Sequence, residues 1–211
     1  MKPIHIAIDG PAASGKTTIG RALARRFGYL FVETGKMYRA VALGLDRGLH
    51  LDEIDLTMDP GGRTLLNGED VSDLLHTPTL DQASSRVATQ PEVRERLVAL
   101  QRGIAAERDV VMEGRDIGTV VLPNAAVKLF LRATPEERAR RRTKERHGSE
   151  ATATLNEIMV RDLRDRTRTL SPLNPADDAI IIDTDQKSLA EVISAAVDLV
   201  EEQLGGRRSS G

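Results

Sequence analysis

The chain has 211 residues, a net charge of −2 and a sequence pI near 6.1, enough length for one sizeable core and too balanced a charge for a general nucleic-acid binder. It contains no Cys, which excludes a disulfide framework, and no apolar run approaches membrane-spanning length. The first residues enter a strand pattern with no signal-peptide signature, so a cytoplasmic protein that binds neither membrane nor nucleic acid is expected.

In chain order, residues 4–9 read as a buried strand, followed at once by Gly10-Pro11-Ala12-Ala13-Ser14-Gly15-Lys16-Thr17. That stretch matches G-x-x-x-x-G-K-[ST], a phosphate-binding loop whose glycines let successive N–H groups point inward at the N-terminus of a helix. Gly10 to Thr17, with Thr18 after them, are the expected nucleotide cradle, in which Lys16 reaches the β- and γ-phosphates and Thr17 offers its hydroxyl to Mg²⁺. A Gly-rich strand-to-helix turn is the plainer alternative. Against it, Ile19, Ala22, Leu23 and Phe27 put an amphipathic helix in register behind the loop.

Residues 29–32 suggest a short second strand. From about residue 49 to 78 the rhythm breaks with Asp52, Asp55, Asp59, Gly61 and Gly62, the pattern of an insertion holding a small hairpin at Asn67-Gly68. Further strands are expected at 109–113, 126–131 and 179–183. Continuous apolar strands alternating with helices predict an α/β fold with a five-stranded parallel sheet, its site at the carboxyl ends of the strands. The tail 205–211 is expected to be disordered.

Glu113 ends its strand where a P-loop protein places an acid of the Mg²⁺ shell, although a carboxylate there can also be a plain turn residue. Arg115 and Asp116 follow and suit an internal ion pair equally well. Of the 30 basic residues 24 are Arg, many of them between positions 132 and 168. A solvated helix face explains some. Arg39, Arg161, Arg164, Arg166 and Arg168 nonetheless exceed what an ordinary ATPase needs and point to a second phosphate-bearing substrate.

The segments Ile8-Asp9-Gly10-Pro11, Thr34-Gly35-Lys36-Met37-Tyr38-Arg39, Gly68-Glu69-Asp70-Val71-Ser72, Gly114-Arg115-Asp116-Ile117-Gly118-Thr119-Val120-Val121 and Arg161-Asp162-Leu163-Arg164-Asp165-Arg166-Thr167-Arg168 together resemble the bacterial cytidylate kinases, from about residue 4 to 204. The resemblance implies a nucleoside monophosphate kinase fold, transfer from ATP with Mg²⁺ to CMP or dCMP, and a monomer. It implies a core of about 1–38, 100–140 and 154–205, an NMP-binding insertion at 39–99 and a short lid at 141–153. It also implies a CMP site of Thr34, Arg39, Ser85, Arg94, Arg115, Asp116, Asp165 and Arg168. Ser85, Arg94 and Asp116 would then read the base, Asp165 would hold the ribose, and Arg39, Arg115 and Arg168 would take the phosphate. A carboxylate at Asp116 accepts from the amine of cytosine and repels the carbonyl oxygen of uracil.

The run Glu136-Glu137-Arg138-Ala139-Arg140-Arg141-Arg142 is similar to the family's lid entrance, and Arg138 and Arg142 share a helix face from which they can close on the ATP phosphates. Which of these four arginines face the site is not readable from spacing. Two departures from the family pattern stand out: the insertion between Arg39 and Val71 is short, and Glu33 and Glu113 replace the commoner Asp. Other readings remain, namely a uridylate or other nucleoside monophosphate kinase, or a P-loop regulatory switch with no second phosphate site.

Overall fold

In β1 (His5–Asp9) the side chains of Ile6 and Ile8 face one side of a sheet and Ala7 faces the other, all of them buried. A strand apolar on both faces needs cover on both, and helices supply it. The computed structural model describes residues 2–59, 61–145 and 151–208. After β1 come α1 (Lys16–Phe27), β2 (Leu30–Glu33) and α2 (Thr34–Asp46). An inserted antiparallel sheet of β3 (Leu56–Met58), β4 (Thr64–Leu66) and β5 (Glu69–Asp70) follows, then α3 (Pro78–Val87) and α4 (Pro91–Glu107). The chain returns to the main sheet through β6 (Val110–Gly114) and β7 (Val127–Arg132), leaves it for α5 (Pro135–Glu145) and α6 (Ala151–Thr167), and ends with β8 (Ile180–Asp183) and α7 (Leu189–Arg208).

The main sheet is wholly parallel in the order β2-β6-β1-β7-β8, and the five strands start within one residue of the positions expected from sequence. On one face Ile6, Ile8, Leu129 and Leu131 pack against Ile19 and Leu23 of α1 and Val192, Ala196 and Val200 of α7. On the other, Ala7, Val32 and Met112 pack against Met37 and Val41 of α2 and Val93 and Leu97 of α4. Because β1 is central, the loop after it and the ends of β6 and β7 meet at one edge.

The expected hairpin is present. Asn67 and Gly68 take φ of 49° and 83°, the paired positive values of a tight turn, and Leu66 faces Glu69 across it. One expectation at the helix ends needs correction. Helix α7 runs to Arg208, past the Gly205-Gly206 pair where disorder is expected, because extending a helix already nucleated by a packed face adds a hydrogen bond per residue; residues 209–211 lie outside the described part. The lid expected at 141–153 overlaps the end of α5 and the start of α6, and its middle, residues 146–150, lies outside the described residues. Among the described residues no helix is long and apolar enough to cross a membrane.

Candidate active site

The phosphate loop joins β1 to α1 with Gly10 at φ 150° and Gly15 at φ 94°. A Cβ on Gly10 would lie 2.4 Å from the carbonyl oxygen of Leu131 on β7, so that position tolerates only glycine. Lys16 opens α1, and its ammonium folds back over the loop, donating to the Pro11 carbonyl at 2.7 Å. Burial pushes the Lys16 pKa down to about 7, helped by repulsion from Arg115 and opposed by Glu113. An ammonium held this way, desolvated and loosely matched, is poised for a polyanion.

Beside it, the Thr17 hydroxyl donates to Glu113 Oε1 at 2.7 Å, and Thr34 Oγ1 donates to the Glu113 carbonyl at 2.7 Å. Glu113 Oε2 is buried with no hydrogen-bond partner, and burial pushes its carboxyl up although Lys16 opposes the shift. A hydroxyl and an orphaned carboxylate oxygen at one point are hard donors of the kind Mg²⁺ takes alongside substrate phosphates, so these residues fit that ion.

Asp9, which the sequence marks only as part of a motif, ends β1 and accepts the backbone N–H groups of Ile117 and Gly118 at 2.8 and 2.7 Å. Those residues open a wide helical turn, Ile117–Val121, closed by bonds such as Leu122 N–H to Ile117 C=O at 2.7 Å. Asp9 thereby ties the start of the phosphate loop to the segment bearing Arg115 and Asp116. Burial raises its pKa to about 6 even against both N–H donors. An acid closing an otherwise apolar strand is the signal that could have revealed it.

A cleft of about 1020 Å³ opens over the loop, lined by Ala12 to Thr18, Glu113 and Arg115, and further out by Arg39, Arg142 and Arg161. Arg115 Nε donates to Asp165 at 2.9 Å. Burial works against ionisation of Asp165, yet Arg115 and Arg161 outweigh it and hold its carboxyl below the usual range. Arg39 donates to Glu33 at 3.2 Å and to Asp81 at 3.0 Å, and Arg142 also donates to Asp81.

Behind the cleft lies a second charged group. Arg94 and Asp116 form a buried ion pair, with Arg168 Nη2 3.8 Å from the other Asp116 oxygen. Arg168 also donates through Nε to the Ser171 carbonyl at 2.7 Å, and its Nη2 has no hydrogen-bond partner. Burial raises the Tyr38 pKa to about 12, with Asp116 adding to the shift and Arg94 and Arg168 opposing it. Ser85 is buried on α3 and accepts from Arg164 at 2.9 Å. Thr34, Arg39, Arg115, Asp116, Arg94, Asp165 and Arg168 therefore gather at one end of the sheet. Arg168, expected at the acceptor phosphate, sits beside Asp116, and Arg161 takes a place on the cleft wall.

The four lid-entrance arginines separate. Arg138, expected to close on ATP phosphates, is instead 1 % exposed, gives both terminal nitrogens to Asp162 at 3.0 and 2.5 Å, and donates to the Ala12 carbonyl at 3.3 Å. It lies a turn closer to β7 than Arg142, under the cover of α6, where a guanidinium needs a carboxylate. Arg140 and Arg141 pair with Glu137 at 2.7 and 2.8 Å, and Arg141 reaches the Thr184 carbonyl at 2.6 Å. Arg142 alone of the four turns toward α3.

A parallel sheet with this strand order, a phosphate loop after its central strand and arginines facing that loop defines a P-loop kinase fold. Solved structures agree. The chain is similar to a shikimate kinase from Bacteroides thetaiotaomicron (TM-score 0.51, 15 % identity, 96 % and 98 % of the two chains) and to TT1252 from Thermus thermophilus (TM-score 0.52, 20 % identity, 97 % and 99 %). At such low identity these show the fold alone. The family model described as cytidylate kinase matches residues 6–202. A cytidylate kinase from Pelotomaculum thermopropionicum is 46 % identical, covering 97 % of each chain, and one from Solibacter usitatus is 42 % identical, covering 99 % of this chain and 97 % of the relative. The chain belongs to the cytidylate kinase family.

Proposed function

We propose that the protein transfers the γ-phosphoryl group of ATP to CMP or dCMP, giving ADP and CDP or dCDP, as a cytoplasmic monomer. The observation that carries this reading is the pairing of two charged sites: a phosphate loop with its ammonium and acid, and behind it a carboxylate, Asp116, fixed between Arg94 and Arg168. A regulatory switch has no use for the second site.

Transfer of this kind needs positioning and charge neutralisation more than a base. The loop N–H groups and Lys16 hold the donor phosphates, and Arg39, Arg115 and Arg142 face the space between donor and acceptor. Thr17 and Glu113 would hold Mg²⁺, which when bound neutralises charge on the donor phosphates. Asp116 accepts from the cytosine amine and Arg94 donates to the ring acceptors, with Ser85 at the base and Asp165 at the ribose. Arg168 bridges base and phosphate. Arg138 fixes α5 to the loop through Ala12, so its contribution is to position the machinery. Residues 39–99 serve as the acceptor-binding insertion and 141–153 as the lid, set on the core formed by the rest. A coupled assay of ATP consumption with CMP, dCMP, UMP, AMP and dTMP tests the assignment. Turnover confined to CMP and dCMP is expected; equal turnover with UMP, or nucleotide-independent ATP hydrolysis, sinks it.

A further inference from the structure

We propose that Asp81 sets how tightly the acceptor's phosphate is held, because its carboxylate competes for the guanidinium forks that the phosphate needs. The proposal rests on the acceptor being a nucleoside monophosphate. No motif singles out Asp81. It lies on α3, and three arginines from three other helices converge on it: Arg39 of α2 donates to Oδ1 at 3.0 Å, Arg142 of α5 donates to Oδ2, and Arg161 of α6 places Nη1 3.9 Å from Oδ1. Asp81 lines the same cleft as Lys16. Burial works against its ionisation, yet Arg39, Arg142 and Arg161 outweigh it and hold the carboxyl below the usual range, so it is an anion at neutral pH.

Arg39 is also held by Glu33, but Asp81 leaves the Arg161 guanidinium incomplete. Nε of Arg161 is buried with no hydrogen-bond partner, Asp165 Oδ2 being 4.0 Å away. A phosphate monoester brings three terminal oxygens and about two negative charges, which match the set better. It cannot share the forks with Asp81 freely, because two anions in one site repel. The carboxylate thus keeps the arginines assembled and lowers acceptor affinity, favouring release of the phosphorylated product.

The test is calorimetric titration of CMP and of cytidine into wild type, Asp81→Asn, Asp81→Ala and Asp81→Glu, with steady-state kinetics alongside. Removing the charge should lower the CMP dissociation constant roughly three- to fivefold in both neutral variants, the upper scale of one partly exposed ion pair. Asp81→Glu should stay within about twofold of wild type, and neither cytidine affinity nor the KM for ATP should follow the trend. Weaker or unchanged CMP binding in the neutral variants overturns the proposal and makes Asp81 a support for the arginines. If wild type transfers to a different nucleoside monophosphate, that nucleotide replaces CMP in the titration. The substrate assignment is therefore judged on wild type alone, and the role of Asp81 on the comparison among variants.

Discussion

Thr17 and Glu113, 96 positions apart, meet in a 2.7 Å hydrogen bond between the first turn of α1 and the last residues of β6. The contact brings a hydroxyl and a carboxylate to one point beside Lys16, and among the described residues the only fully buried carboxylate oxygens without a hydrogen bond are Glu113 Oε2 and Glu33 Oε2, the latter 3.8 Å from Arg21. Glu113→Gln should keep the fold, since burial already disfavours the charged carboxyl. It should lower kcat by roughly tenfold or more and raise the magnesium concentration needed for half-maximal turnover. A magnesium titration identical to that of wild type would remove Glu113 from the metal site.

Asp9 gives a prediction about pH. Its pKa is raised from 3.8 to about 6 by burial, so the folded protein binds that proton more tightly than the unfolded chain. The stability this group contributes is full below about pH 4 and is lost as pH rises through about 6. Asp9→Asn has no such titration. Urea unfolding of both proteins between pH 4 and 7 should show wild type losing up to about 3 kcal/mol relative to the variant across that window. A difference that stays flat with pH means that Asp9 does not titrate near 6.

Arg138 and Asp162 form a buried two-bond ion pair between α5 and α6. Removing one partner leaves a charge stranded in the interior, so Asp162→Ala should cost about 3–5 kcal/mol. The double variant Arg138→Met with Asp162→Leu should recover most of that loss while still lowering kcat, because the tie from Arg138 to the Ala12 carbonyl is gone. Chemical denaturation and a turnover assay read the two effects separately. A single variant as stable as wild type would show that the pair contributes nothing to the fold.

Asp116 is gripped by Arg94 and approached by Arg168, so truncating it would strand two guanidiniums; Asp116→Asn is the cleaner change. The amide can present an N–H to the uracil carbonyl that the carboxylate repels. The ratio of kcat/KM for CMP over UMP should fall roughly ten- to a hundredfold, with the KM for ATP little changed. Equal losses with both nucleotides would indicate that Asp116 only orients the arginines.

The local features were legible in the sequence because each is encoded within a few residues. The phosphate loop is a contiguous run whose glycines answer to backbone geometry, the five strands are apolar runs with clear ends, and Asn67-Gly68 specifies its turn directly. The buried pair Arg94 and Asp116, which we propose reads the base, was legible only through the family resemblance, since neither residue's own surroundings announce it.

What the tertiary structure decided is the partner of each charged side chain. Arg138 and Arg142 share a helix face by spacing, yet one is buried against Asp162 and the other reaches Asp81, 61 positions away on α3. Asp9 finds its donors 108 and 109 positions downstream. Chain periodicity determines which side of a helix faces inward. Whether an inward guanidinium meets a carboxylate, a carbonyl or a substrate depends on which helix the fold lays across it, and that follows from how the sheet orders its strands.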